Sequence, residues 1–285
     1  MKSIKLVFVS SIIWFGLTTL NAQNTYVPDD NFEQALIDLG YDDTLDDYVT
    51  TANISGVTEL DVSNKEISDL TGIEAFTSLT SLECWSNKLT SLDMTANTAL
   101  TNLNCWDNKL TSLDVSKNTV LTRLVSSTNQ LTSLDVTANT ALTELTINTN
   151  KLTSLDVSKN TALEKLVFYD NQLTSLDLSN NTALTYLDCN SNQLTSLDVT
   201  KNTALESLYA CCNKLTSLDV SNNTALIYLD PDQNQLTTLD VSTNTALKRL
   251  NLDGNELTSL DVSANTVLTQ LHCRFNQLTS LDVSS

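Results

Sequence analysis

The sequence predicts a repeat solenoid, mostly β, with a parallel sheet on one face, short extended or strand segments on the other and a small α-helical cap at the N-terminus. Three observations predict it. From Leu79 onward the chain repeats itself every 21 residues. Each repeat contains two short apolar alternations, each ending in asparagine, which is the pattern of a brief strand followed by a turn. The stretch before the array differs in composition and has a helical rather than a strand period.

Residues 1–22 come first and stand apart. MKSIK is a basic start, LVFVSSIIWFGLTTL is an apolar run, and Ala22 supplies a small residue at the expected cleavage point. This is the layout of a secretory signal peptide, cleaved near Ala22 or Gln23. The run is shorter than the roughly 20 residues of a membrane span. Losing Lys2 and Lys5 moves the formal charge from −19 to −21. A surface that anionic is repelled by nucleic acid and by anionic lipid, whereas cations, basic proteins and neutral glycans remain possible partners.

Residues 23–56 form the expected cap. In VPDDNFEQALIDLG, Asp30 and Glu33 have capping-box spacing, Phe32, Leu36 and Leu39 share one helical face, and Gly40 suits the helix stop. The solenoid is expected over 57–285, as a 22-residue unit (57–78) and ten 21-residue units starting at Leu79, Leu100, Leu121, Leu142, Leu163, Leu184, Leu205, Leu226, Leu247 and Leu268. In each first half, as in Leu79, Leu82, Cys84 and Asn87, alternate side chains point inward from a short strand. Asn87, Asn108, Asn129 and their successors sit where the chain turns, with amides able to satisfy turn backbone. The second half, as in Leu110, Leu113, Asp114, Val115 and Asn118, is too short and too rich in Thr, Ser, Asn and Val for a helix. No unit can bury its apolar face alone, so neighbours share one core, on the order of 50 Å long at strand spacing. The last unit stops inside the repeat at Ser285, so a natural product is expected to continue.

These units resemble a bacterial leucine-rich repeat array of the 21-residue subtype called IRREKO, in which both halves follow the leucine pattern. The resemblance covers about 57–285. The cap, and the link LTGIEAFTSL at 70–79, resemble those of internalin-like secreted proteins. The resemblance implies a binding protein with a protein ligand.

Several residue sets invite chemistry. Asp93, Asp114, Asp135, Asp156, Asp177, Asp198, Asp219, Asp240, Asp261 and Asp282 recur once per repeat and would stack roughly 5 Å apart. They read either as a calcium-binding row or as acceptors for nearby Ser/Thr hydroxyls and backbone amides, and the second fits their Leu and Val neighbours better. Of six cysteines, Cys84, Cys105, Cys189 and Cys273 take the inward position that other repeats fill with Ile147, Phe168, Ala210 or Leu252, so they are expected as buried thiols. Cys211 and Cys212 fall on outward or turn positions, where a vicinal disulfide or a reactive pair is the less favoured reading. His272 is the only histidine and has no evident catalytic partners. No cofactor or metal is expected, and no catalytic role.

The variable positions remain. The outward residues of the second half are almost always Thr, Ser, Asp and Ser, whereas those of the first half change from repeat to repeat. The candidate ligand-binding face is Glu83, Trp85, Asn104, Trp106, Arg123, Lys165, Tyr169, Tyr186, Asp188, Tyr209, Tyr228, Asp230, Lys248, Arg249 and Arg274. In the fifth unit the outward set is Glu164, Lys165, Val167, Tyr169 and Asp170. Exposed aromatics flanked by hydrogen-bonding groups are what recognition surfaces use. The expectation is a monomeric, secreted or cell-surface recognition or adhesion protein with a protein ligand. Glycan binding by the aromatic patch, or a structural spacer, are the alternatives.

Overall fold

The computed structural model describes residues 23–281; the expected signal peptide and Asp282 lie outside them. Strand β1 (Asn24–Tyr26), helix α1 (Asp30–Asp38), strand β2 (Tyr48–Thr50) and the single-turn helix α2 (Thr51–Ile54) precede the array. The array then contributes β3 (Glu59–Asp61), β4 (Ser81–Glu83), β5 (Asn102–Asn104), β6 (Arg123–Val125), β7 (Glu144–Thr146), β8 (Lys165–Val167), β9 (Tyr186–Asp188), β10 (Ser207–Tyr209), β11 (Tyr228–Asp230), β12 (Arg249–Asn251) and β13 (Gln270–His272). These eleven strands form one parallel sheet in strict chain order. Register is one repeat per step, so Leu60, Leu82, Leu103, Leu124 and Leu145 stand opposite one another. Those leucines, with Cys84, Cys105, Ile147, Phe168 and their equivalents, are buried in a single apolar column. The structure is therefore the solenoid that the period demands.

Opposite the sheet, the second halves are built from turns. Their strand-like pairing is sparse: Asp93 and Asp114 form one parallel bridge, and Asp261 also has bridge geometry. Leucine and valine still point inward there, as with Leu110 and Val115.

From the unit beginning at Leu79 onward, asparagine closes the turns on both sides, whereas the first unit has Lys65 and Phe76 at those positions. Asn171 Nδ2 donates to the carbonyls of Ile147 (3.1 Å) and Phe168 (3.0 Å), and its Oδ1 accepts from Leu152 N–H at 3.0 Å. The second row, exemplified by Asn181, donates to Val157 (3.0 Å) and Asn160 (2.9 Å). Both rows reach backbone one repeat upstream, so each amide ties neighbouring coils together. One ladder bond is missing: Pro231 has no N–H where Ala210 and Leu252 donate to the next strand, and the β11–β12 pairing stops at Leu229 and Leu250.

The N-terminal segment departs from expectation in detail. Asp29, not Asp30, caps α1, accepting from the N–H groups of Asn31 and Phe32. Its other oxygen accepts from Ser68 and Asp69, fastening the helix start to the first unit. Glu33 makes no capping box; it is fully buried and accepts from the N–H groups of Asp46 and Tyr48. The buried face is Phe32, Ala35 and Leu36, while Leu39 is 46% exposed. Leu39 is the C-cap residue, beyond the last full turn, so it faces solvent. Gly40 ends the helix with φ +79°, its N–H bonding Ile37 and that of Tyr41 bonding Leu36, a Schellman closure. The short antiparallel pair β1–β2 has no sequence signal that three residues could supply.

Two expectations follow. At Gly72, φ is +105° and an added Cβ would sit 2.9 Å from the Tyr26 carbonyl oxygen and 2.9 Å from a Val27 methyl. Gly72→Ala is expected to destabilise the N-terminal part by about 2 kcal/mol or more, combining left-handed strain with a backbone clash, read by urea unfolding. Asn171→Ala strands the buried Leu152 N–H, while the Ile147 and Phe168 carbonyls keep Asn150 and Asn192 as donors. Asn181→Ala strands no backbone group, because the Val157 and Asn160 carbonyls still accept from the N–H groups of Asn160 and Leu163. The first is expected to cost roughly 1–3 kcal/mol and the second less, compared by denaturation midpoints.

Candidate binding face

A three-residue strand with a buried central leucine has two outward neighbours, and the next outward position lies two residues on. That arithmetic puts Ser81, Glu83 and Trp85 on one rung and Asn102, Asn104 and Trp106 on the next, in register. Stacking converts sequence positions into columns of side chains about 5 Å apart. The predicted site residues are thereby brought onto one face, with Lys248 just before β12 and Arg274 just after β13.

The half of the face nearer the N-terminus is self-paired. Glu83 accepts from Asn102 Nδ2 (2.9 Å) and Asn104 Nδ2 (2.6 Å). Arg123 donates to Asn102 Oδ1 at 3.0 Å and to Glu144 at 3.2 Å, and Lys165 pairs with the other Glu144 oxygen at 3.0 Å. Burial opposes ionisation of Glu144, but the hydrogen bonds and charges of Lys165 and Arg123 outweigh it and hold the carboxyl below its usual range. Asn102 and Glu144 are absent from the predicted face, although their shared column with Arg123 and Lys165 marked them. Val125 and Val167 occupy outward register but are only 8% and 6% exposed. Outward and exposed are therefore different properties on this sheet.

Aromatic rings stack on adjacent rungs. Trp85 and Trp106 have centroids 6.0 Å apart, and Trp106 Nε1 donates to Thr128 Oγ1 at 3.1 Å. Tyr186 and Tyr209 are 5.5 Å apart. Trp106 and Tyr169 are exposed, Trp85, Tyr186, Tyr209 and Tyr228 half-buried.

Beside the tyrosines the electrostatics reverse. Asp188 and Asp230 flank Tyr209 on β9 and β11. Burial, then the charge of Asp230, pushes Asp188 up to about 6, against a lowering bond from Asn190 N–H. Burial pushes Tyr186 up to about 12, with Asp188 adding to it. Burial also raises Asp230. The exposed cations Lys248, Arg249 and Arg274 follow toward the C-terminal end. Between Tyr209, Tyr228, Asp230, Arg249 and Asn251 lies a cleft of only 30 Å³, far below the roughly 300–1,000 Å³ that encloses a small ligand. The face suits a broad partner.

The other residue sets resolve differently. Asp93, Asp114, Asp135 and their equivalents through Asp261 each accept from the N–H two residues on. The Thr95 hydroxyl and N–H hold the Asp93 carboxyl below its usual value, and Ser116 does the same for Asp114. These are turn acceptors. Cys84, Cys105 and Cys189 are buried free thiols, with Cys105 pushed up to about 12 by burial. Cys273 is free but half-exposed, contrary to the buried expectation, because it lies on the last described rung. Cys211 and Cys212 are joined as a vicinal disulfide, the reading the sequence favoured less.

Among known proteins, the family of Leucine Rich repeats (2 copies) matches residues 161–202. Internalin J of Listeria monocytogenes serotype 4b (strain F2365) is 41% identical over 85 residues, a stretch that is 28% of this chain and 9% of that protein. The solved functional domain of InlJ from Listeria monocytogenes, which includes a cysteine ladder, is similar at 36% identity, covering 92% of this chain and 73% of that one with a TM-score of 0.54. The internalin InlF from L. monocytogenes str. 4b F2365 is similar at 25% identity, covering 91% and 87%, with a TM-score of 0.75. The fold is thus that of a bacterial leucine-rich repeat protein. More particularly, the chain belongs to the internalin-like leucine-rich repeat proteins.

The raised Asp188 yields a pH prediction. The folded chain holds its proton up to about 6, while an unfolded aspartate releases it near 3.9. Between those values the folded state binds more protons, so stability falls as pH rises through the window and stays lowered above it. Asp188→Asn is expected to raise the unfolding free energy at pH 7.5 by on the order of 1–2 kcal/mol after discounting for partial exposure, seen as a higher thermal midpoint, and to do little at pH 4.

Proposed function

We propose that this is a non-catalytic, secreted or cell-surface recognition protein that binds a protein ligand through the first-half sheet face. The internalin-like fold supports a protein-interaction or adhesion role. One observation carries the finer reading. Within a single chain the second-half surface repeats Thr-Ser-Asp-Ser almost unchanged, while the sheet face varies and gathers the paired tryptophans, the paired tyrosines and the half-buried aspartates. The Asp and the Ser or Thr two residues on are held by their turn bonds, but drift would be expected to affect the outward Thr-Ser pair before each Asp as much as the sheet face. A half-buried carboxylate without a neutralising cation, as at Asp188, lowers stability, which suits a face shaped for a partner rather than for the fold.

The mechanism is rigid presentation. Side chains held on a hydrogen-bonded grid lose little freedom on docking, so less of the contact energy is offset by ordering. Export and surface exposure follow from the reading of residues 1–22 as a signal peptide, and no helix among the described residues is long and apolar enough to cross a membrane. The Trp85–Trp106 pair also fits a sugar ring, which keeps glycan binding as the second reading.

Arrays of extracellular proteins and of glycans probed with residues 23–285 test both readings. Protein hits are expected, and simultaneous alanine changes at Trp85, Trp106, Tyr169 and Tyr186 are expected to weaken them by roughly 10-fold or more, the scale of one hot-spot residue. Hits confined to glycans would favour the second reading. Binding that ignores the four changes but scales with repeat number would mark a spacer, and polysaccharide turnover would make the protein an enzyme.

A further inference from the structure

Cys211 and Cys212 serve no framework need. The four other cysteines fill the inward column, whereas these two occupy outward positions held by Asn190 and Ser191 in the repeat before and by Asp232 and Gln233 in the repeat after. Asp232 stands one repeat beyond Cys211 in the same column. Backbone bonds fix the three: Cys211 N–H donates to Asn190 Oδ1 at 2.6 Å, and Cys212 N–H donates to the Asp232 carbonyl at 3.0 Å. The two sulfurs and a carboxylate oxygen of Asp232 lie within 4.8 Å of one another. A second observation points the same way: Asp232 Oδ1 is covered and has no hydrogen-bond partner among the described residues. Gln233 Oε1 is 3.6 Å from Cys212 Sγ, a further oxygen within reach.

We propose that Cys211, Cys212 and Asp232 form a redox-gated site for a soft or borderline divalent cation of the zinc or cadmium type. Joined as a disulfide, the sulfurs cannot act as thiolate ligands and the site is closed. A dithiol reductant opens it: two electrons and two protons pass to Cys211–Cys212, the S–S bond breaks to give two thiols, and the reductant becomes a disulfide. The cation then displaces both thiol protons to water and binds two thiolates and one carboxylate. Three protein donors leave a fourth position for Gln233 or for water. Thiolate sulfur selects this class of ion over calcium or magnesium, which prefer all-oxygen shells. The proposal is independent of the recognition role.

Cadmium alone is the probe. The full chain, reduced with dithiothreitol and desalted without air, is titrated with Cd²⁺ and followed by sulfur-to-cadmium absorption in the ultraviolet, beside the same chain left oxidised. One equivalent is expected to bind the reduced chain and none the oxidised. Cys211→Ser with Cys212→Ser should abolish the band, and Cys273→Ser, which removes the remaining half-exposed thiol, should leave it unchanged. Asp232→Asn should weaken binding by at least the roughly 10- to 100-fold that loss of a mere outer-shell partner costs. Circular dichroism confirms that each variant is folded. The proposal is overturned if the folded, reduced chain shows no such band, if oxidised and reduced chains bind alike, if the band survives the double serine change, or if Asp232→Asn binds as tightly as the parent.

Discussion

Buried asparagine amides decide what the rest of this chain is free to do. A coil of 21 residues with only three in a strand leaves most of its backbone outside the sheet. Those N–H and C=O groups lie against an apolar column, where an unpaired group costs about 1–3 kcal/mol. The amides of the Asn87–Asn276 row meet that need by bonding to their own turn and to the coil before it, and those of the Asn97–Asn265 row by bonding twice to the coil before. A side chain of another length, or with a carboxylate in place of the NH₂, would face carbonyl oxygens. Once asparagine and the inward leucines are fixed, only outward positions can vary.

Even there the frame imposes a conformation. The residue before each first-row asparagine has positive φ: Ser86 (50°), Asp107 (55°), Thr128 (51°), Thr149 (55°), Asp170 (55°), Ser191 (50°), Cys212 (59°), Gln233 (48°), Gly254 (67°) and Phe275 (53°). Glycine would take this backbone without strain, and among these units only Gly254 does so. Tolerating side chains in the left-handed region costs about 1 kcal/mol each. The cooperative stack absorbs that cost because each coil is held by two neighbours.

Much of this was legible in the sequence, and for a physical reason: a solenoid turns linear period into spatial register. Leu79 to Leu268 fixed the number of rungs, and the contrast between the two halves marked the sheet face before any coordinate. Three things were not legible. The cap moved by one residue because Asp29 and Asp30 are both good caps, and only the tertiary bonds from Ser68 and Asp69 favour the first. Exposure could not be read from alternation: Val125 and Val167 point outward and are nearly covered, while Glu144 joins a network through Arg123 and Lys165 on neighbouring rungs. Vicinal cysteines at a turn offer no pattern that separates a disulfide from two thiols.

The face also carries two kinds of charge, and the difference follows from what each column stacks. From β4 to β8, acid and base alternate between rungs, so Glu83, Arg123, Glu144 and Lys165 neutralise one another and gain little from an incoming ion. At β9 and β11, Tyr186 and Tyr228 take places where bases stood; burial raises Asp188 with no cation beside it, while Asp230, also raised, keeps partial compensation from Arg249 and Asn251. A neutralised network contributes rigidity and shape. Uncompensated carboxylates beside aromatic rings instead favour any partner that brings a cation to them, because desolvation already spent in the free protein is not charged again on binding. On the proposed recognition reading, the β9–β11 tyrosine–aspartate region would give a ligand most per contact, with the β4–β8 network as the platform that orients it.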